Sequence, residues 1–308
     1  MPNPYKDAVL NELRARFGSL RKLPGSNSLY AIGDDAARVY MRYSKAHAKR
    51  RKFFGLRDSD LRQLQGSNSH ICFLSNEDAK PVVTPYADFE QVLHRAHLAG
   101  DGQYKVQILQ GSGTHELYVP GQGRFNIGGY IGLEGLAESL SGCTAAPAAE
   151  LGHSQVQTLL ADIGHRKGFD IYAPPEDIGG FDWTLAAPFR LRTQVPAGYD
   201  CVRSILSGVD IIWIGASRDC IEAMFEVEHS TPIYSGLLRF NDVLLTDPKL
   251  CRFFIVSNDT RRELFARQIA RPTFCRSRLN ELTSFLHYAN VYEWHRRLNT
   301  GLQDNEQS

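Results

Sequence analysis

The chain has 308 residues, 43% of them hydrophobic and 22% charged, with a formal net charge of +1. The length suggests two domains, and the composition is that of an ordinary globular protein with enough apolar material for real cores. A near-neutral balance excludes a polycation, so any nucleic-acid partner has to be held by a local basic patch. Six cysteines are scattered without a C-x-x-C pair, which argues against a zinc ribbon or a disulfide framework. The opening "MPNPYKDAVLNELRARFG" lacks the apolar core of a signal peptide. No apolar run approaches the ~20 residues that span a bilayer. The expectation is a soluble, cytoplasmic protein with no membrane partner.

Residues 5–17 read as an amphipathic helix, with Tyr5, Val9, Leu13 and Phe17 four apart. "YSKAHAKRRKFFGLR" (43–57) then carries Lys45, Lys49, Arg50, Arg51, Lys52 and Arg57 with no acid, interleaved with Tyr43, Phe53 and Phe54. Basic residues beside aromatics suit phosphate neutralisation with nearby stacking. The alternative is a solvated loop whose aromatics enter the core. "ICFL", "KPVVTPY" and "GRFNIGGYIGL" read as short strands, and the Gly-rich centre of "VQILQGSGTHELYV" marks a hairpin. Tyr86, Phe89, Tyr104 and Phe125 are read as core residues before any role in a cage for a flipped base. "HRAH" (94–97) is read as a helix surface, since no third ligand accompanies its histidines.

The small-residue, Pro-containing stretch 138–154 separates two differently patterned halves. A domain boundary is expected near 145, giving 1–145, β-rich α+β, and 146–308, α/β. In the second half "LGHSQVQTLLADIGHRKG" reads as a helix and "FDIYAPP" as a strand. "GVDIIWIG" and "CIEAMFEVEHS" form a strand pair. "STPIYSGLLRFNDVLL" is a helix with a Ser230/Thr231 cap and Pro232 in its first turn. "RFFIVSND" and "DTRRELFARQIARP" complete the series as a strand and a helix. That order predicts an α/β sheet with helices on its faces.

The strand pair carries an unexpected charge pattern. Alternate strand residues share a face, so Glu226 and Glu228 project together, and pairing through the turn at 215–219 brings Asp210 toward them. Three carboxylates on one sheet edge repel and are desolvated, a cost that a divalent cation relieves. Oxygen ligands favour Mg²⁺ or Mn²⁺ over zinc. The competing reading is an amphipathic edge strand with its acids in water.

The pattern D-x(15)-E-x-E, with an apolar residue between the two glutamates, resembles the PD-(D/E)XK nuclease core in the variant whose lysine is replaced by glutamate. "FEVEHSTPIYSGLLRFNDVLL", preceded by "VDIIW", is similar to a segment of bacterial restriction-endonuclease-like proteins. The resemblance covers roughly residues 150–275; no proline precedes Asp210 and the lysine is missing. It implies a C-terminal PD-(D/E)XK-like mixed sheet flanked by helices, behind an N-terminal DNA-recognition domain. It further implies a Mg²⁺-dependent (Mn²⁺-tolerant) restriction endonuclease acting on double-stranded DNA. Asp210, Glu226 and the Val227 carbonyl would hold the metal and Glu228 the attacking water. A further helix residue (Glu150, His153 or Gln157) is a candidate fourth member. Arg239 and the 45–57 basic residues would contact DNA, and two-strand cleavage implies a homodimer. The rival expectation is a non-catalytic DNA-binding or regulatory protein that keeps the fold.

Overall fold

A computed structural model describes residues 4–23, 25–33, 36–44, 51–76, 78–111, 114–142, 151–215, 219–229, 232–250 and 252–303. Residue contacts divide the chain into two units, Met1–Ala145 and Ala146–Ser308.

The first unit runs α1 (Pro4–Phe17), β1 (Leu20–Lys22), β2 (Leu29–Ile32), β3 (Ala37–Ser44), β4 (Arg51–Arg57), α2 (Asp58–Arg62), β5 (Ser69–Ser75) and β6 (Val82–Pro85). It continues with α3 (Tyr86–Arg95), β7 (Gln103–Gln110), β8 (His115–Val119), β9 (Gly123–Asn126) and α4 (Glu134–Gly142). Two sheets result, ordered β1-β2-β3-β5-β6 and β4-β7-β8-β9. The expected hairpin is β7–β8, antiparallel with Gln110 opposite His115.

Alternation decides the layers. Phe54 and Leu56 of β4, Val106 and Ile108 of β7, and Leu117 and Val119 of β8 bury against Leu29, Tyr40, Ile71 and Phe73 of the first sheet. Tyr86, Phe89 and Tyr104 lie in that same core, with Phe125 edge-on to Phe89 at 5.9 Å, so these aromatics pack rather than line an open cage. Leu10 and Leu13 of α1 and Leu136 of α4 cover the other face of the first sheet. Because α3 ends at Arg95, His97 of "HRAH" stands beyond the helix.

The second unit runs α5 (His153–Arg166), β10 (Phe169–Tyr172), α6 (Pro175–Ile178), α7 (Arg203–Leu206), β11 (Ile211–Gly215), β12 (Cys220–Val227) and α8 (Ile233–Thr246). Then come β13 (Phe253–Ser257), α9 (Arg262–Ile269), α10 (Pro272–Arg276), α11 (Leu279–Leu282), β14 (Thr283–His287) and α12 (Tyr288–Gln303). One mixed sheet orders these strands β10-β11-β12-β13-β14. The first two pairings are antiparallel and the last two parallel. Helix α8 starts one residue later than its sequence suggests, because Pro232 takes the N-cap position instead of the first turn. The 230–231 cap lies outside the described residues. Pro272 opens α10 rather than closing α9.

The sheet is buried on both faces, as its near-continuous apolar runs require. Trp213, Phe225, Phe254 and Leu286 face α5 and α12 through Leu160, Ile163, Val291 and Trp294. Ile212, Met224, Phe253 and Ile255 face α7 and α8 through Leu206, Leu237, Phe240 and Val243. Glu226, two residues after Met224, therefore enters the α8 layer. Among the described residues no helix is long and apolar enough to cross a membrane.

Candidate active site

The register between β11 and β12 fixes the site. A bulge at Trp213/Ile214 changes the pairing from Ile214↔Ile221 to Trp213↔Ala223, and the ladder then runs to Ile211↔Phe225. The extra residue on β12 sets position 210 opposite position 226. The Val227 amide donates to Asp210 Oδ2 at 2.6 Å. Asp210 thus sits where β12 delivers its glutamates.

Glu226 is 1% exposed. Arg239, two turns into α8, donates from Nε to Oε1 at 2.7 Å and from Nη2 to Oε2 at 2.6 Å. Burial pushes the Glu226 carboxyl up to about 8, against the pull of Arg239, and the negative charges of Asp210 and Glu228 push the same way. Glu228 is also buried; its amide donates to the Val256 carbonyl, and its own carbonyl accepts from Ser257 Oγ and Arg261 Nη1. Gly236 makes room for the pair. A Cβ there would stand 3.0 Å from Glu228 Oε1 and 3.2 Å from Glu226 Cβ. A side chain at 236 would crowd both acids.

The other Asp210 oxygen faces α5. Gln157 Nε2 donates to Asp210 Oδ1 at 3.2 Å and to Asp177 Oδ2 at 3.0 Å. His153 Nε2 lies 3.4 Å from Asp210 Oδ1. His153 and Gln157 are four apart and share a helical face. The hydrogen bond to Asp210 holds the His153 imidazole above its ordinary range despite burial, with help from the charges of Asp177 and Glu228. One ligand atom each from His153, Asp177 and Asp210 lies within 4.8 Å of the others. Glu226 stands outside that trio, on the Arg239 side. Tyr288, at the start of α12, senses the same charges, and burial raises its hydroxyl to about 12.

Residues 138–302, more than half of the chain, match the family model described as the type II restriction enzyme NmeDI C-terminal domain. The chain belongs to this restriction-endonuclease family. No curated protein and no solved structure matches it significantly.

In this restriction-enzyme chain, Asp210, Glu226, Val227 and Glu228 meet at one end of β12, whereas the expected phosphate contact at Arg239 is spent on Glu226. Lys45, Lys49, Arg50 and Glu150 lie outside the described residues. Lys52 corrects an expectation: it is 1% exposed and ion-paired with Asp78, itself held by Gln110, so it cannot present its ammonium to DNA. The cause is strand parity, since Lys52 alternates inward with Phe54 and Leu56 while Arg51 and Arg57 point out. Asp177 and Tyr288 were not singled out from the sequence. Asp177 sits in a four-residue helix, Pro175–Ile178, that follows the strand β10.

Proposed function

We propose that the protein is a Mg²⁺-dependent DNA endonuclease of the type II restriction class, with a PD-(D/E)XK-like catalytic unit in which Glu228 replaces the lysine. The observation that carries this reading is the convergence of Asp210 with Glu226 and Glu228 where β12 ends, in a family named for a restriction enzyme. The chain order α5, β10, β11, β12, α8, β13, with the short helices α6 and α7 between β10 and β11, is in keeping with the order the resemblance implies.

The residues fit a divalent cation. Two buried glutamates face an aspartate, and the protein spends a guanidinium to neutralise one of them. Asp210, Glu226 and the Val227 carbonyl would hold Mg²⁺, with Mn²⁺ as substitute. When bound, the ion supplies charge neutralisation at the scissile phosphate and a lowered pKa for water. Glu228 accepts a proton from the attacking water. Arg239 orients Glu226 and favours its charged form, partly offsetting the desolvation that disfavours that charge. The N-terminal unit serves DNA recognition through exposed basic residues such as Arg51 and Arg57, and a homodimer supplies one site per strand.

A second reading has one observation in its favour. The two-pronged Arg239–Glu226 pair is a self-sufficient buried ion pair of the kind a non-catalytic DNA-binding protein could keep for structure. Cleavage separates the two. Unmodified, methylated and hydroxymethylated plasmid and phage DNAs are incubated with Mg²⁺ or Mn²⁺ and either wild type or Glu226→Ala. Discrete fragments from wild type alone support the nuclease. Intact DNA throughout, with binding indifferent to metal, supports the second reading.

A further inference from the structure

The first unit carries a row of aromatic and polar residues that neither of its cores uses. Strand alternation turns Phe54 and Leu56 of β4, Val106 and Ile108 of β7, and Leu117 and Val119 of β8 inward, so their neighbours face out. The ladder aligns four of those outward residues directly across the sheet: Phe53 opposite Gln107, Gln107 opposite Tyr118, and Tyr118 opposite Arg124. Phe53 is 49% exposed and Tyr118 is half-buried, and both lie outside the two hydrophobic cores of the unit. Among the described residues, the side chains of Phe53, Gln107 and Tyr118 make no hydrogen bond or ring contact. Two strand spacings separate Phe53 from Tyr118 by about 10 Å, so the rings stand too far apart to stack on each other and leave room for a separate base on each. Cations surround the row. Arg51 and Arg57 project from β4 on either side of Phe53. A Cβ at Gly55 would lie 3.6 Å from Lys105 Nζ, which places that ammonium over β4 between Phe53 and Arg57. Arg124 pairs with Glu116, and Lys105 with Asp101, in exposed ion pairs of the kind that contribute little and exchange readily. Four cations thus face two acids, a net positive surface suited to phosphates.

We propose that the outer face of the β4-β7-β8-β9 sheet binds an unpaired DNA strand, with bases stacked on Phe53 and Tyr118 and phosphates held by Arg51, Arg57, Lys105 and Arg124. An intact duplex does not fit the rings. Its bases are already stacked on one another and show only their edges in the grooves. The four-stranded face also measures about 14 Å from first to last strand, wider than the major groove of roughly 12 Å, which takes a helix or a two-stranded ribbon. A duplex can lay its phosphates on Arg51 and Arg57, whereas a free strand also engages the rings, because every base has a face to stack. This surface goes beyond the endonuclease reading and rests on it only for the choice of DNA over RNA.

The test is fluorescence anisotropy on the full chain in EDTA, with labelled oligothymidylate, its duplex with oligoadenylate, and oligouridylate of the same length. Wild type is expected to hold the single DNA strand. Phe53→Ala and Tyr118→Ala are each expected to weaken that binding about fivefold or more, the low end for one stacked base, and to leave duplex affinity unchanged. Tyr118→Phe, which keeps the ring, is expected to bind as wild type does, with melting temperature checked to show that every variant folds. Wild type failing to bind the single strand, both alanine variants binding it as tightly as wild type, or both losing single strand and duplex equally, overturns the proposal. Oligouridylate held more tightly than oligothymidylate overturns the assignment to DNA. Strand binding that needs both rings, in a protein that cuts no DNA, keeps this surface and removes the endonuclease reading. Cleavage by a protein whose strand binding ignores both rings does the reverse.

Discussion

At the scale of single residues, Arg239 and Lys52 show how differently one cation can be used. Arg239 lies across a buried carboxylate with both prongs engaged, which Lys, a point charge on a flexible stem, cannot reproduce. Arg239→Lys is therefore expected to leave the charge but lose the orientation of Glu226. Cleavage in Mg²⁺ should fall roughly 10- to 100-fold, the usual cost of removing a group that orients a metal ligand. Single-turnover cleavage checks it, and an unchanged rate would show that Arg239 does no more than balance charge. Parity explains why Lys52 was misread. It sits in a basic run, and only the phase of the β4 alternation distinguishes it from Arg51. That phase is set by Phe54 and Leu56 seeking the core, and the aromatic pair Phe53–Phe54 leaves it ambiguous in sequence, since either ring can be the buried one.

At the scale of elements, α5 is the member that ties the site to the sheet. Its approach is closest at Gly164, where a Cβ would stand 2.4 Å from Trp213 Nε1 and 2.6 Å from Ile171 Cδ1, and where the Trp213 indole donates to the Leu160 carbonyl at 3.0 Å. Alanine is the better helix former by about 1 kcal/mol, but overpacking costs about 1–3 kcal/mol. Backed by a ring 0% exposed, the clash wins. Gly164→Ala should lower the urea midpoint, and a stabilised variant would refute the close approach. The same helix is tied to α12 through Asp162, which accepts from His295 and Arg166. Burial opposes its charge, yet those two partners hold the carboxyl below its ordinary range. A depressed pKa contributes stability above the unfolded value of about 3.9, and that contribution is lost as pH falls below it. Asp162→Asn should cost about 3 kcal/mol at neutral pH, the low end for breaking a buried pair. It should also flatten the stability profile below pH 4, measured by denaturant unfolding from pH 7 to 3. The order α5, β10, β11, β12, α8, β13, α9 was legible because apolar runs, proline and glycine punctuate it, whereas the short helices α6 and α7 between β10 and β11 were not. Strand β14 and helix α12 were not, since "TSFLHYANVYEWHRRL" mixes aromatics and polar residues with neither period dominant. The carboxylates were legible as isolated charges in apolar runs. Asp177 was not, because its place beside Asp210 is a product of the fold that no local pattern announces.

At the scale of the whole molecule, a net charge of +1 sets how DNA can be held. Non-specific attraction spread over the surface is weak, so affinity must come from a few placed cations and its salt dependence must be shallow. Arg51 and Arg57 are exposed on the outer face of β4, where Phe53 pairs with Gln107, and Gly55 with Lys105, across the ladder to β7. Each arginine that reaches a phosphate contributes about 0.9 to the slope of log affinity against log salt concentration. Arg51→Ala and Arg57→Ala, made in a Glu226→Gln background and titrated by fluorescence anisotropy without metal, should each lower the slope by about that amount. As surface substitutions they should change stability by no more than about 0.5 kcal/mol. Lys52→Gln is the informative control: it should leave the slope intact and lower the melting temperature, because it removes the charge that balances Asp78 and leaves Gln110 alone to hold that carboxylate. The opposite pattern, with the slope carried by Lys52 and indifferent to both arginines, would require β4 to turn its other face to DNA. That would expose Phe54 and Leu56, and at about 1.5–3 kcal/mol for each side chain taken out of the core, the arrangement is one this sheet cannot support.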